Sequence, residues 1–338
     1  MNYYFRVDGG NIYSIATGHI TRCLKLADYI SSHEKAKICF IMKNYSEGVR
    51  LVKNRYQVRL INKDLNINDE VRLIRRSIDK DSDFICDLRN INNGYISKIK
   101  ENCNKFILFD DLGIKNLTPH VLINPTPFCY LNYNGKIKSK TTLLLGEKFF
   151  FTDKPLIKKA FTRKYNKRKY NILASFGGAD PCNITNFFLK NIAPNLKTHR
   201  ISVILGPANQ NKLELIKNYR NKNIKFYTNL TCLSDVFSTC DIAFVCAGDT
   251  CIESCVSGLA TFIISSIYYE KKLGQLLHKK KMAYFVADIA NIKMNKISAR
   301  YLKIMNSDKL LREISSQGRD LVDGEGLERV YAVIKSKS

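Results

Sequence analysis

No stretch of the chain approaches the roughly 20 consecutive apolar residues that a membrane-crossing helix needs. The opening MNYYFRVD has no basic segment leading into an apolar one, so neither a membrane span nor a secretory signal is expected. CxxC is also absent, although there are eleven cysteines (23, 39, 86, 103, 129, 182, 232, 240, 246, 251 and 255). An odd number of scattered thiols without a secretory signal points to reduced cysteines in the cytoplasm. Walker A, HExxH and the GxSxG elbow are missing, which sets aside P-loop, zincin and α/β-hydrolase chemistry. There is no zinc-finger, RNA-recognition or helix-turn-helix signature, and no short repeat or low-complexity segment. Acidic residues are scarce, 30 against 55 lysines and arginines, for a net charge of +25. The lysines are spread along a chain rich in Asn, Ile and Tyr rather than striped on one face, so no nucleic-acid partner is expected. Two denser patches, Lys158 to Lys169 (KKAFTRKYNKRK) and His278 to Lys281, would allow weak peripheral association with an anionic membrane. Solvated surface is the plainer reading of both.

What is present is alternation. The 338 residues suffice for two domains, each with its own core. Apolar strands are expected at Tyr3–Val7, Ile38–Met42, Val58–Ile61, Phe84–Cys86, Phe106–Phe109 and Val121–Ile123, with helical patterns between several of them. From Leu143 to Tyr170 the signal changes: Phe149, Phe150 and Phe151, then Pro155, then the basic run. Alternation restarts with strands at Asn171–Ser175, Ile201–Leu205, Ile224–Tyr227, Ile242–Val245, Thr261–Ser265 and Ala283–Val286. Strands apolar throughout mean parallel sheets covered on both faces. The expected fold is therefore α/β, two Rossmann-like doubly wound domains facing a cleft, 1–155 and 156–338.

Ligands in such sheets bind beyond the carboxyl ends of the strands, and polar or glycine-rich residues follow several strands here. Asp8-Gly9-Gly10 follows the first, Asp110-Asp111 the fifth and Asn124-Pro125 the sixth. In the second half, Ser175-Phe176-Gly177-Gly178-Ala179-Asp180 and Ala247-Gly248-Asp249-Thr250 each join a strand to a helix. Glycine lets the backbone approach a phosphate, and a helix N-terminus favours the anion. Glu253, one turn beyond Gly248, could accept from both hydroxyls of a ribose; it could equally complement the helix dipole. His19 follows Gly18 at the start of a helix, where the dipole disfavours imidazolium, so a neutral ring able to take a proton is expected. A packed or capping histidine is the alternative. Arg22, one turn on, is either an anion contact or a surface residue. Cys246, Cys251 and Cys255 cluster, but zinc would need a fourth ligand with only His278 near in sequence, so small buried thiols and no metal are expected.

Together FRVDGG…ATGHITRCLKLA, ILFDD, VLINP, LASFGGADPCNIT and AGDTCIESCVSGLA occur in the order and spacing of the PseG/SpsG family, which this chain resembles over most of Phe5 to Val286. The best-known member type is the UDP-2,4-diacetamido-2,4,6-trideoxy-β-L-altropyranose hydrolase of pseudaminic acid biosynthesis, and the family is similar to the GT-B glycosyltransferases, MurG in particular. The resemblance implies that His19 is the general base activating water against the anomeric carbon of a UDP-sugar, without a metal or cofactor. Asp8, Gly18, Arg22, Asp111 and Asn124 would then contact substrate. Gly177, Gly178, Gly248 and Thr250 would lie by the diphosphate, and Glu253 by the ribose. The chain departs from the pattern at Ala16, where glycine is usual, at Arg89, where an aromatic is usual, and at Tyr269-Glu270, where an Asn-Gln pair is usual. A cytoplasmic monomer acting as a UDP-sugar hydrolase is the leading expectation. A GT-B glycosyltransferase of surface polysaccharide synthesis, and a catalytically degraded nucleotide-sugar binding protein, are the alternatives.

Overall fold

Strand β1 (Asn2–Val7) shows why the first half folds as a covered sheet. Tyr3, Phe5 and Val7 point into one apolar cluster with Ile20, Leu26 and Phe40, while Tyr4 points into another with Ile41, Phe84 and Phe106. A strand apolar on both faces is stable only between two layers of helix. The structure, a computed structural model, describes all residues except 11–17, 90, 114–115, 133–139, 161–162, 166–168, 229, 231–232, 292–293 and 337–338. Ala16 and the loop around it therefore lie outside the described residues.

After β1 the chain continues through α1 (Gly18–His33), β2 (Lys37–Lys43), α2 (Ser46–Val52), β3 (Gln57–Ile61), α3 (Ile67–Ser77), β4 (Asp83–Asp87), α4 (Asn93–Lys100), β5 (Lys105–Phe109), β6 (Val121–Asn124) and β7 (Thr142–Leu145). The seven strands are parallel, in the order β3-β2-β1-β4-β5-β6-β7. Strand order reverses between β1 and β4, where Val7 pairs in register with Asp87. That is the switch point at which an open α/β sheet leaves a crevice.

The second unit runs through α5 (Lys154–Ala160), β8 (Asn171–Ser175), α6 (Ile184–Asn191), β9 (Arg200–Leu205), α7 (Lys212–Tyr219), β10 (Ile224–Thr228), α8 (Ser234–Thr239), β11 (Ile242–Val245), α9 (Asp249–Val256), β12 (Ala260–Ser265), α10 (Tyr268–Lys279), β13 (Tyr284–Asp288), α11 (Met294–Met305) and α12 (Asp308–Arg319). Its six parallel strands are ordered β10-β9-β8-β11-β12-β13, with the reversal between β8 and β11, where Ser175 pairs with Val245. The two doubly wound parallel α/β sheets expected from the alternation are observed, one in each unit.

Three details differ from expectation. The seventh strand, β7, was not anticipated; it is a four-residue edge strand whose Leu144 is buried. The compact units are Met1–Phe151 with Gly324–Ser338, and Thr152–Asp323, so the end of the chain does not belong with the second half as the 156–338 boundary supposed. Helix α13 (Gly326–Lys335) returns to the first core because Val330 and Ile334 are apolar at i, i+4 and pack with Ile20, Leu26 and Ile30. Lys105 Nζ then donates to the carbonyls of Ile334 (2.7 Å) and Ser336 at its C-terminus, where a cation is favoured by the dipole. Lastly, the basic run is not all surface. Arg163 donates to the carbonyls of Ser257 (2.7 Å), Phe237 (2.6 Å) and Cys240, and Tyr165 is buried with its hydroxyl on Asp241 O and Gly258 O. Among the described residues no helix is long and apolar enough to cross a membrane.

Candidate functional site

At the first switch point, Asp87 ends β4 and faces the start of α1. Its Oδ1 lies 2.7 Å from His19 Nδ1, and Arg22 donates to both of its oxygens, Nε at 2.5 Å and an Nη at 2.6 Å. Arg22 also donates to Asp111 Oδ1 at 2.7 Å and stacks over Phe109 with 4.7 Å from Cζ to the ring centroid. The helical spacing of His19 and Arg22 puts both on one face of α1, and the strand ends supply the carboxylates. Burial alone would raise the Asp87 carboxyl, but the charges of Arg22 and His19 and their hydrogen bonds hold it well below the usual carboxylate range. An ionised carboxylate only accepts, so His19 Nδ1 carries the hydrogen towards Asp87 and Nε2 is the basic nitrogen. Arg22 Nη, 3.0 Å from the same Nδ1, is a second donor there rather than a partner.

The helix dipole alone would lower the His19 pKa, and the direction found here is the opposite. Burial does push His19 towards the neutral form. Asp87's charge and hydrogen bond outweigh it, and the pKa is raised above its ordinary 6.5. A full carboxylate at 2.7 Å is a stronger field than the half-charge of a helix end.

A cavity of about 300 Å³ opens beside this group, with Arg6, Asp8, His19, Glu70, Asp87 and Tyr95 in its polar wall. Arg6 is buried and grips Asp8 with two N–H groups (2.6 and 2.8 Å) and Glu70 with a third (2.8 Å); Tyr95 donates to Glu70 at 3.1 Å. Asp8 also accepts from the backbone N–H of Lys43 at 2.7 Å. Asp8 is thus brought to the cavity as expected but already holds three donors. Gly18 is exposed at the first residue of α1, and Asp111, 28% exposed, sits across Arg22. Asn124 is not in the cavity wall: it is buried and its Oδ1 accepts from Thr126 N at 3.1 Å, closing the turn after β6. Arg6, Glu70 and Tyr95 went unread in the sequence. The available signal was an arginine at the centre of an apolar strand, since a buried charge demands partners.

In the second unit the loop after β8 places Gly177 at φ +87°, with nothing within 4 Å of where a Cβ would stand. A Cβ on Gly206 would come within 2.4 Å of Gly178 Cα and O, so this glycine lets the β8 and β9 loops touch. The helix after the first loop is not open to an anion, contrary to expectation. The Asp180 carboxylate already accepts from the N–H groups of Ile184 (2.7 Å) and Thr185 (2.9 Å). Helix α9 differs. It starts after Gly248 with no side-chain cap, and a Cβ on Gly248 would also meet nothing within 4 Å. Thr250 and Glu253, both half-buried, lie one turn apart on it. Tyr269 is exposed, whereas Glu270 folds back to accept from Ser266 N (2.9 Å) and Oγ (3.0 Å) as a helix cap. Burial, with a smaller push from the charge of Asp180, raises the Glu270 pKa. Cys251 and Cys255 are buried on α9, and among the described residues no group of three His, Cys, Asp or Glu side chains could hold a metal.

These two sheets in one chain have close structural counterparts. MurG of Acinetobacter baumannii superposes with a TM-score of 0.68 at 12% identity over 99% of both chains. The fold is GT-B. S. aureus MnaA, in its co-structure with UDP, gives 0.65 at 10% identity over 99% of this chain and 96% of that one. UDP-GlcNAc 2-epimerase of Neisseria meningitidis, bound to UDP-GlcNAc, gives 0.60 at 9% over 99% and 100%. In sequence, the chain is 21% identical over 336 residues to the spore coat polysaccharide biosynthesis protein SpsG of Bacillus subtilis, covering 97% of this chain and 96% of SpsG. It is 26% identical over 262 residues to the uncharacterized protein MJ1062 of Methanocaldococcus jannaschii, covering 73% of this chain and 52% of that protein, about half its length. No family model matches.

Proposed function

We propose that the chain is a UDP-sugar hydrolase that removes UDP from a 2,4-diacetamido-2,4,6-trideoxyhexose, in pseudaminic acid or related surface-glycan biosynthesis. The observation that carries the reading is the His19–Asp87 pair at the first switch point, held by Arg22 beside a cavity. In the reaction His19 Nε2 takes a proton from water and the water oxygen bonds to the anomeric carbon. The anomeric C–O bond breaks, and its electron pair leaves on the β-phosphate of UDP. Asp87 keeps the basic nitrogen as Nε2 and stabilises the imidazolium that forms, the role a buried carboxylate plays behind other catalytic histidines. The first unit's acids and bases are assigned to the sugar. Gly177, Gly178, Gly248 and Thr250 are assigned to the diphosphate, and Glu253 to the ribose. The similarity to SpsG and to proteins bound to UDP and UDP-GlcNAc supports a nucleotide-sugar substrate.

A second reading, transfer of the sugar to an acceptor hydroxyl, uses the same base. At about 300 Å³ the cavity beside His19 holds more than a single water, which leaves room for an acceptor hydroxyl. Incubation with the UDP-sugar in ¹⁸O-water decides. Label in the free sugar and its loss in His19→Asn are expected; full activity of His19→Asn would refute the mechanism, and UDP release only with added acceptor would select transfer.

A further inference from the structure

Glu70, in the first turn of α3, is only 4% exposed, yet its carboxylate is used on one side alone. Oε1 accepts from Arg6 Nε at 2.8 Å and from the Tyr95 hydroxyl at 3.1 Å. Oε2 accepts from no group among the described residues, and Glu70 stands in the wall of the first-unit cavity with that oxygen not sealed from solvent. The cause is how Arg6 is shared. Arg6 and Asp8 are two residues apart and so face the same way. The two Nη groups close on both Asp8 oxygens, at 2.6 and 2.8 Å, and leave only Nε for Glu70. Whichever way the Glu70 carboxylate turns, one oxygen serves Arg6 and Tyr95 and the other faces the cavity. A buried acceptor left without a donor costs free energy, so a ligand that supplies one gains by it. The same cavity is lined by the apolar side chains of Leu65, Ile67, Leu88 and Ile91, and by Lys43 and Arg89.

We propose that Glu70 determines sugar specificity: its Oε2 accepts a hydrogen bond from the N–H of an acylamino substituent whose methyl packs on the apolar wall. A carboxylate paired with a guanidinium only accepts, so its ligand must donate. An amide N–H does so, and its acyl methyl has apolar side chains to meet, which a bare hydroxyl does not use. An ammonium would also donate, but Lys43 and Arg89 in the same wall oppose a further cation. That the acylamino group belongs to a nucleotide-linked sugar rests on the UDP-sugar reading; the acceptor in the cavity does not.

The test is calorimetry on the full chain carrying His19→Asn, so that ligands are not consumed. The ligands are UDP, UDP-glucose, UDP-2,4-diacetamido-2,4,6-trideoxyhexose and its 2,4-diamino counterpart. Glu70→Gln is then added. The glutamine oxygen must stay with Arg6 Nε, which can only donate, so its NH2 turns a donor to the cavity. Binding of the diacetamido compound is expected to weaken by about tenfold, the scale of one charge-assisted hydrogen bond, that of UDP-glucose by less, and that of UDP not at all. Thermal unfolding checks that each variant is folded. Should Glu70→Gln not fold, Tyr95→Phe removes one of the two bonds that fix the carboxylate, and a smaller loss confined to the diacetamido compound is expected. Undiminished binding of that compound, an equal loss for UDP-glucose, or tighter binding of the diamino compound overturns the proposal. If UDP itself fails to bind, the nucleotide-sugar reading falls. The acceptor site is then decided by saturation-transfer NMR with the free diacetamido sugar: acetyl-methyl signals that Glu70→Gln abolishes sustain it, and their absence in the parent overturns it.

Discussion

Replacing Asp87 by asparagine keeps the side chain's shape and removes one buried negative charge, which isolates what that charge does. Three contacts lose their charge assistance: His19 Nδ1 at 2.7 Å and Arg22 at 2.5 and 2.6 Å. Breaking a buried ion pair from one side costs about 3–5 kcal/mol. Arg22 keeps Asp111 at 2.7 Å, so the loss belongs at the lower end, about 3 kcal/mol. For His19 the sign is clear. In the native protein burial lowers its pKa and Asp87 raises it further, to a net value above 6.5. Without Asp87, burial and the Arg22 charge both act downward, so the pKa must fall. Because the base works deprotonated, the wild-type rate should be lost as pH falls through a pKa above 6.5, and that acid limb should move down in the variant. An amide can also donate to Nδ1 and move the hydrogen to Nε2, a tautomer change that costs about 10⁴ in kcat in a comparable dyad. The assays are the NMR titration of His19, native-state hydrogen exchange of β1 and β4 amides, and UDP release against pH. An unchanged His19 pKa, or a rate loss below about tenfold where the tautomer argument needs 10⁴, would refute the reasoning.

Stability linkage follows the same groups. The His19 contribution is present below its unfolded pKa near 6.5 and is lost as pH rises through the higher folded value, while that of Asp87 is present above about 3.8 and is lost as pH falls through the depressed one; hydrogen exchange across that pH range checks both. Gly206→Ala forces a Cβ to 2.4 Å from Gly178, which should cost about 1–3 kcal/mol by overpacking and weaken UDP binding in calorimetry. Glu253→Ala should weaken UDP by roughly tenfold, the scale of a charge-assisted hydrogen bond, and 2′-deoxy-UDP by less; equal losses would remove it from the ribose. Lys105→Met strips the ammonium from the end of α13 and should speed exchange of the amides of 326–335, by an amount matching about 1–2 kcal/mol; unchanged exchange would show that the apolar contacts alone hold the helix.

Legibility followed the range of the interaction. Strands such as Asn171–Ser175 and Ile242–Val245 were read to the residue because an apolar run bounded by polar residues is local information. Edge strand β7 is not legible because four residues, of which only Leu144 is buried, leave too short a pattern. Helix α13 is periodic in sequence, but nothing local says which core takes Val330 and Ile334. At the site, His19, Arg22 and Asp111 could be nominated from the chemistry of strand ends. That Asp87 is the partner His19 and Arg22 share could not be read, since it lies 68 residues from His19 and is brought to it only by the pairing of β1 with β4. Asp180 shows the opposite error. Glycine followed by a helix suggested an open N-terminus, and only coordinates show the carboxylate already seated on it.

By itself, then, the sequence determined two parallel α/β sheets, because periodicity and apolar runs fix which segments must be covered on both faces. It also placed Gly18-His19, Gly177-Gly178 and Gly248 at strand ends. The tertiary structure decided the state of those residues. Strand order, through the register of Val7 with Asp87, put a carboxylate on His19 and reversed the direction of its pKa. The same order tied Asp8 and Glu70 to Arg6. Charge acts through space across a low-dielectric interior, and distance in space is what a linear chain does not state.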